Sequence, residues 1–206
     1  FAYLDYNYDR EKYIAKDIVT RLKLNKSVTV NEKQFTNEID RLEKKSGIKL
    51  ATLQKDAVKT ALSEKISIIT GGPGTGKTTV LKFILSAAYD LFGVNPDEVT
   101  LLAPTGRAAS RMSESVGNGY TASTIHSKLQ LASEQEDNPA SDPIDSKIVV
   151  VDELSMCDSY IFYMLMKYTS YSSKIILIGD AEQLPSVAAG NVLFELLKSK
   201  AVPVVR

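Results

Sequence analysis

The sequence predicts an α/β fold, a central parallel sheet covered by helices on both faces and preceded by a small helical N-terminal segment. Three observations predict it. Short apolar runs rich in β-branched residues recur at Ile66–Thr70, Val99–Ala103, Ile148–Val151 and Lys174–Ile178. Helix-like stretches separate them, at Thr78–Leu91, Arg107–Ser115 and Ser159–Tyr168. The apolar runs are continuous rather than alternating, as expected of strands buried on both faces.

The N-terminal elements come first. Arg10 to Leu24 sets Ile14, Ile18 and Leu22 at helical spacing. Asn31 to Ser46 has Asn31 as a candidate N-cap with Gln34 three residues on, an apolar stripe of Phe35, Ile39 and Leu42, and Gly47 as a stop. Both helices are short and charged, so residues 1–48 read as an appendage packed on the core of residues 49–206. A third helix is expected over Thr52–Leu62. Gln135–Ser146, with Pro139 and Pro143 among acidic and small residues, reads as a surface loop. Ala201–Arg206 reads as the start of another strand and Phe1 is not an initiator methionine, so the chain is expected to be a piece of a longer protein.

Composition narrows the class. The 206 residues are 44% hydrophobic and 24% charged, as in an ordinary globular protein. Lys plus Arg and Asp plus Glu both number 25, so no global charge excess announces a polyanionic partner. The charge is uneven, with residues 1–66 leaning basic and the stretch from Leu131 leaning acidic. A lone Cys157 excludes an internal disulfide and suits a reducing compartment. There is no signal-peptide pattern and no apolar run near the roughly 18 residues of a membrane span, so a cytoplasmic protein is expected.

Gly71-Gly72-Pro73-Gly74-Thr75-Gly76-Lys77-Thr78 is a full G-x-x-x-x-G-K-T sequence placed after an apolar strand and before a helix. Glycines let successive N–H groups curl around phosphates, and the helix N-terminus adds a positive dipole end. Gly72 to Thr79 are therefore the candidate nucleotide-binding residues, with Lys77 on the β and γ phosphates and Thr78 on Mg²⁺. Asp152 and Glu153 follow four apolar β-type residues; Asp152 is the candidate metal-side carboxylate at the end of a neighbouring strand, and Glu153 the candidate general base. After the next strand, Gln183 both donates and accepts hydrogen bonds, which suits a γ-phosphate sensor. A turn built on Gly179 and Asp180 explains that segment equally well.

In this order the motifs resemble those of the superfamily 1 helicases, and within them the RecD-like family (exodeoxyribonuclease V alpha-subunit type). Gly71–Thr78 is similar to its motif I, Asp152–Met156 to motif II and Gly179–Val187 to motif III. Leu53–Val58 resembles the Q motif, which implies that Gln54 reads the adenine edge of ATP. Ala103–Ala109 resembles motif Ia and Ser123–His126 the DNA-contact motif after it. The resemblance covers roughly residues 49–206 and implies a first RecA-like motor domain using ATP and Mg²⁺, tracking single-stranded DNA and duplex junctions 5′ to 3′ in recombination and repair. It implies DNA contacts at Pro104, Thr105, Arg107, Thr124 and His126. By itself Arg107 reads as a solvated helix residue and His126 as a local hydrogen-bonding one.

Two departures are visible. The family's second motor domain, with the arginines that complete the ATP site, has no match here, so the isolated piece is expected to be poorly active. No nuclease motif is present. A relaxase-helicase or a non-motor nucleotide-binding subunit of a recombination complex remains open, whereas a P-loop small-molecule kinase leaves Ala103–Ala109 and Ser123–His126 unexplained. The aromatic and Met residues from Tyr160 to Met166 read as core, and Cys157 as a packed thiol.

Overall fold

A computed structural model of the chain describes residues 5–24, 30–117, 119–131, 141–183 and 190–206. The elements in chain order are α1 (Asp5–Lys23), α2 (Glu32–Ser46), α3 (Thr52–Ser63), β1 (Ile66–Thr70), α4 (Lys77–Phe92), β2 (Val99–Ala103), α5 (Gly106–Val116), β3 (Ala122–Thr124), α6 (Ile125–Leu129), β4 (Ile148–Val151), α7 (Ser159–Tyr168), β5 (Lys174–Gly179), α8 (Val192–Ser199) and β6 (Val204–Val205). The strands form one six-stranded sheet of order β3-β2-β4-β5-β1-β6, with every pairing parallel.

Every residue of β1 and β4 is buried, because helices cover both faces of the sheet. Alternate residues along a strand point to opposite faces, and the two faces carry separate apolar clusters. Ile66, Ile68, Val149, Val151, Ile175 and Leu177 pack with α1, α6, α7 and α8. Ile69, Ile148, Val150, Ile176 and Ile178 pack with α2, α3, α4 and α5. The N-terminal helices thus lie on opposite faces, α1 against α7 and α2 against α4.

Specific polar contacts hold both helices. Asn31 caps α2 by accepting from the Lys33 and Gln34 N–H groups at 3.0 and 3.2 Å, and Gly47 ends it at φ 71. Glu43 ties α2 to α3, accepting from Leu50 N–H at 2.8 Å and pairing with Lys55 at 2.9 Å. The Lys55 bond holds its carboxyl below the usual range, helped by the Leu50 N–H. On α1, the fully buried Arg21 donates to Asp17 at 2.6 Å and to the Met166, Thr169 and Ser170 carbonyls at the end of α7.

The parallel sheet and its flanking helices are as predicted, with differences in detail. The strand β3 and helices α6 and α8 were not expected. A three-residue strand and a five-residue helix are too short for periodicity to reveal. Ala201–Arg206 contributes the edge strand β6, which pairs with β1. The described part of the expected surface loop is pinned inward at Ile144, which is buried and bridges to Thr169. The Ile144 N–H donates to Tyr168 at 2.7 Å and its carbonyl accepts from Ser170 at 2.8 Å. One apolar residue in a polar run is a weak sequence signal. Among the described residues no helix is long and apolar enough to cross a membrane.

Candidate functional site

The glycine-rich loop leaves β1 at the C-terminal edge of the sheet and enters α4. Gly74 and Gly76 take φ +76 and +85, values that L side chains rarely adopt. A Cβ on Gly76 would also stand 2.6 Å from Nε2 of Gln54, so the position demands glycine twice over. The first intrahelical bond of α4 runs from Val80 N–H to the Gly76 carbonyl at 2.9 Å. The N–H groups of Lys77, Thr78 and Thr79 are therefore left over at the helix N-terminus, the usual condition of an anion site. Lys77 Nζ donates to the Gly71 and Gly72 carbonyls, the latter at 2.9 Å, and Thr75 Oγ1 donates to Gly72 at 2.9 Å. The ammonium is held over the loop itself.

Gln54, in the first turn of α3, braces this loop from the side. Its Oε1 accepts from Ala51 N–H at 2.9 Å and its Nε2 donates to the Thr75 carbonyl at 3.0 Å. One N–H and one lone pair of the amide remain uncommitted. A cavity of about 250 Å³ opens beside it, lined among others by Leu53, Gln54, Thr75, Lys77 and Arg206.

Asp152 and Glu153 follow β4, which is not adjacent to β1; β5 lies between them. The expectation of a neighbouring strand is corrected here, and the inserted strand has a consequence. It brings Gln183, just after β5, between the glycine loop and the carboxylates. Asp152 Oδ1 accepts from Glu153 N–H at 2.8 Å. Burial pushes the Asp152 carboxyl above its usual range; the Glu153 N–H opposes this, the Glu153 charge adds to it, and Lys77 also opposes it. Glu153 sits in the left-handed region at φ 53, ψ 39, an unusual place for a non-glycine residue. A 3-10 turn over Leu154–Met156 follows, and buried Ser155 donates to Oε1 of Gln183 at 3.1 Å. Gln183 is placed by a turn in which Asp180 accepts from Glu182 N–H at 3.0 Å and from Gln183 N–H at 3.3 Å. Motif III positions Leu184 to Val187 lie outside the described residues.

A groove of about 370 Å³ joins these groups to α5, lined by Thr78, Thr105, Arg107, Arg111, Asp152, Glu153, Met156 and Gln183 among others. Thr105 and Thr124 are both helix N-caps, accepting from Ala108 N–H at 3.3 Å and Ser127 N–H at 3.0 Å. They stand at the ends of adjacent strands, with Ala103 paired to Thr124. Pro104 is half-buried; Arg107 and His126 are exposed. Thr124 and His126 do not line the groove. Sequence reasoning missed Ser155, Arg111 and Arg206; only Arg111 left a signal, the four-residue spacing from Arg107.

Among the described residues no group of three or more His, Cys, Asp or Glu could hold a metal ion. Thr78 and Asp152 in one groove are instead the sparse donor set that suits Mg²⁺, which takes one or two protein groups and fills its shell with phosphate oxygens and water. Cys157 is buried and its thiol is pushed up to about 12 by burial, assisted by the Asp158 charge, so it is a packed thiol as expected.

A strand, a glycine loop and a helix N-terminus, with paired carboxylates two strands away and a hydrogen-bonded glutamine between, define a RecA-like P-loop nucleotide-binding domain. The family model described as the AAA domain matches residues 54–189, and the chain belongs to that family. It is 37% identical over 171 residues to the RecBCD enzyme subunit RecD of Haemophilus influenzae, a match covering 73% of this chain and 27% of that protein. It is 34% identical over 163 residues to the ATP-dependent RecD2 DNA helicase of Deinococcus radiodurans, covering 79% of this chain and 22% of that one. These relatives bear out the resemblance to RecD-like proteins, and the chain spans about a quarter of their length. The solved Pif1 helicase of Candida albicans superposes with a TM-score of 0.51 at 19% identity, over 77% of this chain and 40% of that one. That likeness concerns the fold alone.

Proposed function

We propose that this domain is the first RecA-like motor domain of an ATP-dependent DNA helicase or translocase, in which nucleotide hydrolysis drives movement along single-stranded DNA. The observation that carries the reading is the groove in which Thr78, Asp152, Glu153 and Gln183 meet Thr105 and Arg107. Groups suited to phosphate chemistry and groups suited to a nucleic-acid backbone share one wall-to-wall space. The relatedness to RecD and to the RecD2 DNA helicase supports the same reading.

The loop from Gly72 to Thr79 would wrap the phosphates of ATP with its unspent N–H groups, and Lys77 would move its ammonium from the Gly71 and Gly72 carbonyls to the β and γ phosphates. Gln54 would turn its remaining N–H and lone pair to the adenine edge. Bound Mg²⁺ would neutralise charge developing on the phosphates, held by the Thr78 hydroxyl and by Asp152, directly or through water. Glu153 would orient the attacking water and take its proton, while Gln183, fixed by Ser155, senses the γ-phosphate. Pro104, Thr105 and Arg107, with Thr124 and His126 on the next strand end, would line the DNA track. Two adjacent capped helix N-termini offer N–H groups to successive backbone phosphates.

On this reading the motor would move 5′ to 3′ and work at duplex junctions in recombination and repair, in the cytoplasm, as the family resemblance implies. A second RecA-like domain of the same protein would supply trans arginines, and recombination-complex subunits would be the partners. The test is Lys77→Ala in the full-length protein: ATP turnover should be abolished with the melting temperature retained. Normal turnover in a folded variant would sink the assignment.

A further inference from the structure

A general base works when a third group orients it. Among the described residues, Glu153 has no such group. Its backbone N–H is spent on Asp152, and its carboxylate makes no hydrogen bond or ion pair. Its backbone is left-handed at φ 53, ψ 39, and it lines the groove beside Asp152. The cations in its groove come from α5.

Two arginines stand there, and the helix gains nothing by them. Arg107 and Arg111 are four residues apart on one face, where like charges repel. Arg107 lies in the first turn, where a cation opposes the helix dipole, and no acidic residue accompanies it. Neither guanidinium makes a hydrogen bond or ion pair among the described residues, and both are exposed to the groove. An arrangement unfavourable to the helix is explained by anionic groups that enter or line the groove.

The two positions are not equivalent. Arg107 is beside Thr105 at the N-terminus of α5, within reach of a DNA phosphate bound there. Arg111 lies about 6 Å further along the helix at the α-helical rise, one turn beyond the N-terminal N–H groups that would hold that phosphate. It lines the same groove as Asp152 and Glu153. We propose that Arg111 is a positioning residue that orients Glu153 for hydrolysis once DNA has engaged Arg107, and so couples DNA binding to ATP turnover. This rests on the motor reading above.

The experiment uses the full-length protein and compares wild type, Arg111→Ala and Arg111→Lys for steady-state ATPase at saturating oligo-dT, for KM of ATP, and for oligo-dT affinity at several salt concentrations. Arg111→Ala should lower kcat roughly tenfold, within the ordinary range for coupling between sites. KM and DNA affinity should stay within about twofold, and Arg111→Lys should recover part of the rate. In a Glu153→Gln background, Arg111→Ala should cost no further rate, because it acts through Glu153. Four results would overturn the proposal: an unchanged kcat, full additivity with Glu153→Gln, a parallel loss of DNA affinity with a shallower salt slope, or a lowered melting temperature that Arg111→Lys does not repair. If the wild type itself shows no stimulation by oligo-dT, the motor reading fails. If the wild type and Arg111→Ala are stimulated alike, only the role of Arg111 does.

Discussion

Arg21→Ala should be the most destabilising single change outside the sheet. The guanidinium is fully buried and makes four hydrogen bonds, at 2.6 Å to Asp17, 2.9 Å to Ser170, 3.2 Å to Met166 and 2.6 Å to Thr169. It also lies 4.7 Å from the Tyr171 ring centroid. Removing it strands the buried Asp17 carboxylate, whose Oδ1 already has no hydrogen-bond partner, and three carbonyls at the negative end of α7. Breaking a buried pair at one partner costs about 3–5 kcal/mol. For a chain of this size each kcal/mol moves the melting temperature by roughly 2–4 °C, so a fall of about 6–20 °C is expected. Calorimetry on this 206-residue chain reads it directly. Replacing both partners, Asp17→Leu with Arg21→Met, should recover part of the loss, because no uncompensated charge is left. The helix-end carbonyls would still lack donors, so recovery should be incomplete. A loss below about 1 kcal/mol for Arg21→Ala would refute the reasoning. It would mean that water reaches Asp17 and α7 once the arginine is gone.

Three further outcomes are expected. Glu153→Gln in the full-length protein should retain nucleotide binding while hydrolysis falls on the order of 10²-fold or more. Loss of nucleotide binding in Glu153→Gln but not in Asp152→Asn, measured by fluorescent-nucleotide titration, would reverse the two roles. Arg107→Ala should weaken single-stranded DNA binding equally for all sequences and reduce the slope of log affinity against log salt by about 0.7; unchanged affinity with a lowered melting temperature would make Arg107 a structural residue. Lys174 is lowered to about 8 from 10.5 by burial and, secondarily, by the Lys65 charge, with Glu64 opposing. Between those values the unfolded chain binds more protons than the folded one, so stability rises with pH across that window. Lys174→Met should therefore gain most over the wild type below about pH 8 and lose that advantage by pH 10.5, as read by urea titrations. A difference independent of pH would show that the lysine is not charged at a cost.

Strand and helix cores were legible because burial on both faces leaves an uninterrupted apolar run. Ile66–Thr70, Val99–Ala103 and Ile148–Val151 are strands with the predicted limits, and Ser159–Tyr168 is the predicted helix. The phosphate loop was legible for a different reason. Its backbone conformation demands glycine and its chemistry demands Lys77 and Thr78, so one local segment carries the whole requirement. Asn31 and Gly47 were readable as caps on the same principle, since each satisfies backbone groups within four residues of itself.

What sequence by itself determined, then, is whatever depends on near neighbours: strand runs, helix caps, the glycine loop and the residue types beside it. Tertiary structure alone decided what depends on strand order and on the approach of distant segments. Inserting β5 between β1 and β4 puts Gln183 between the phosphate loop and the carboxylates, and nothing local to Gln183 specifies that order. The Ser155–Gln183 bond spans 28 residues and the Arg21 contacts to Thr169 and Ser170 span 148 and 149. Such contacts form only where the sheet and its packed helices bring the ends together. Arg111 is the clearest case: in sequence it is one more charge on an amphipathic helix, and only the fold sets it in one groove with Glu153.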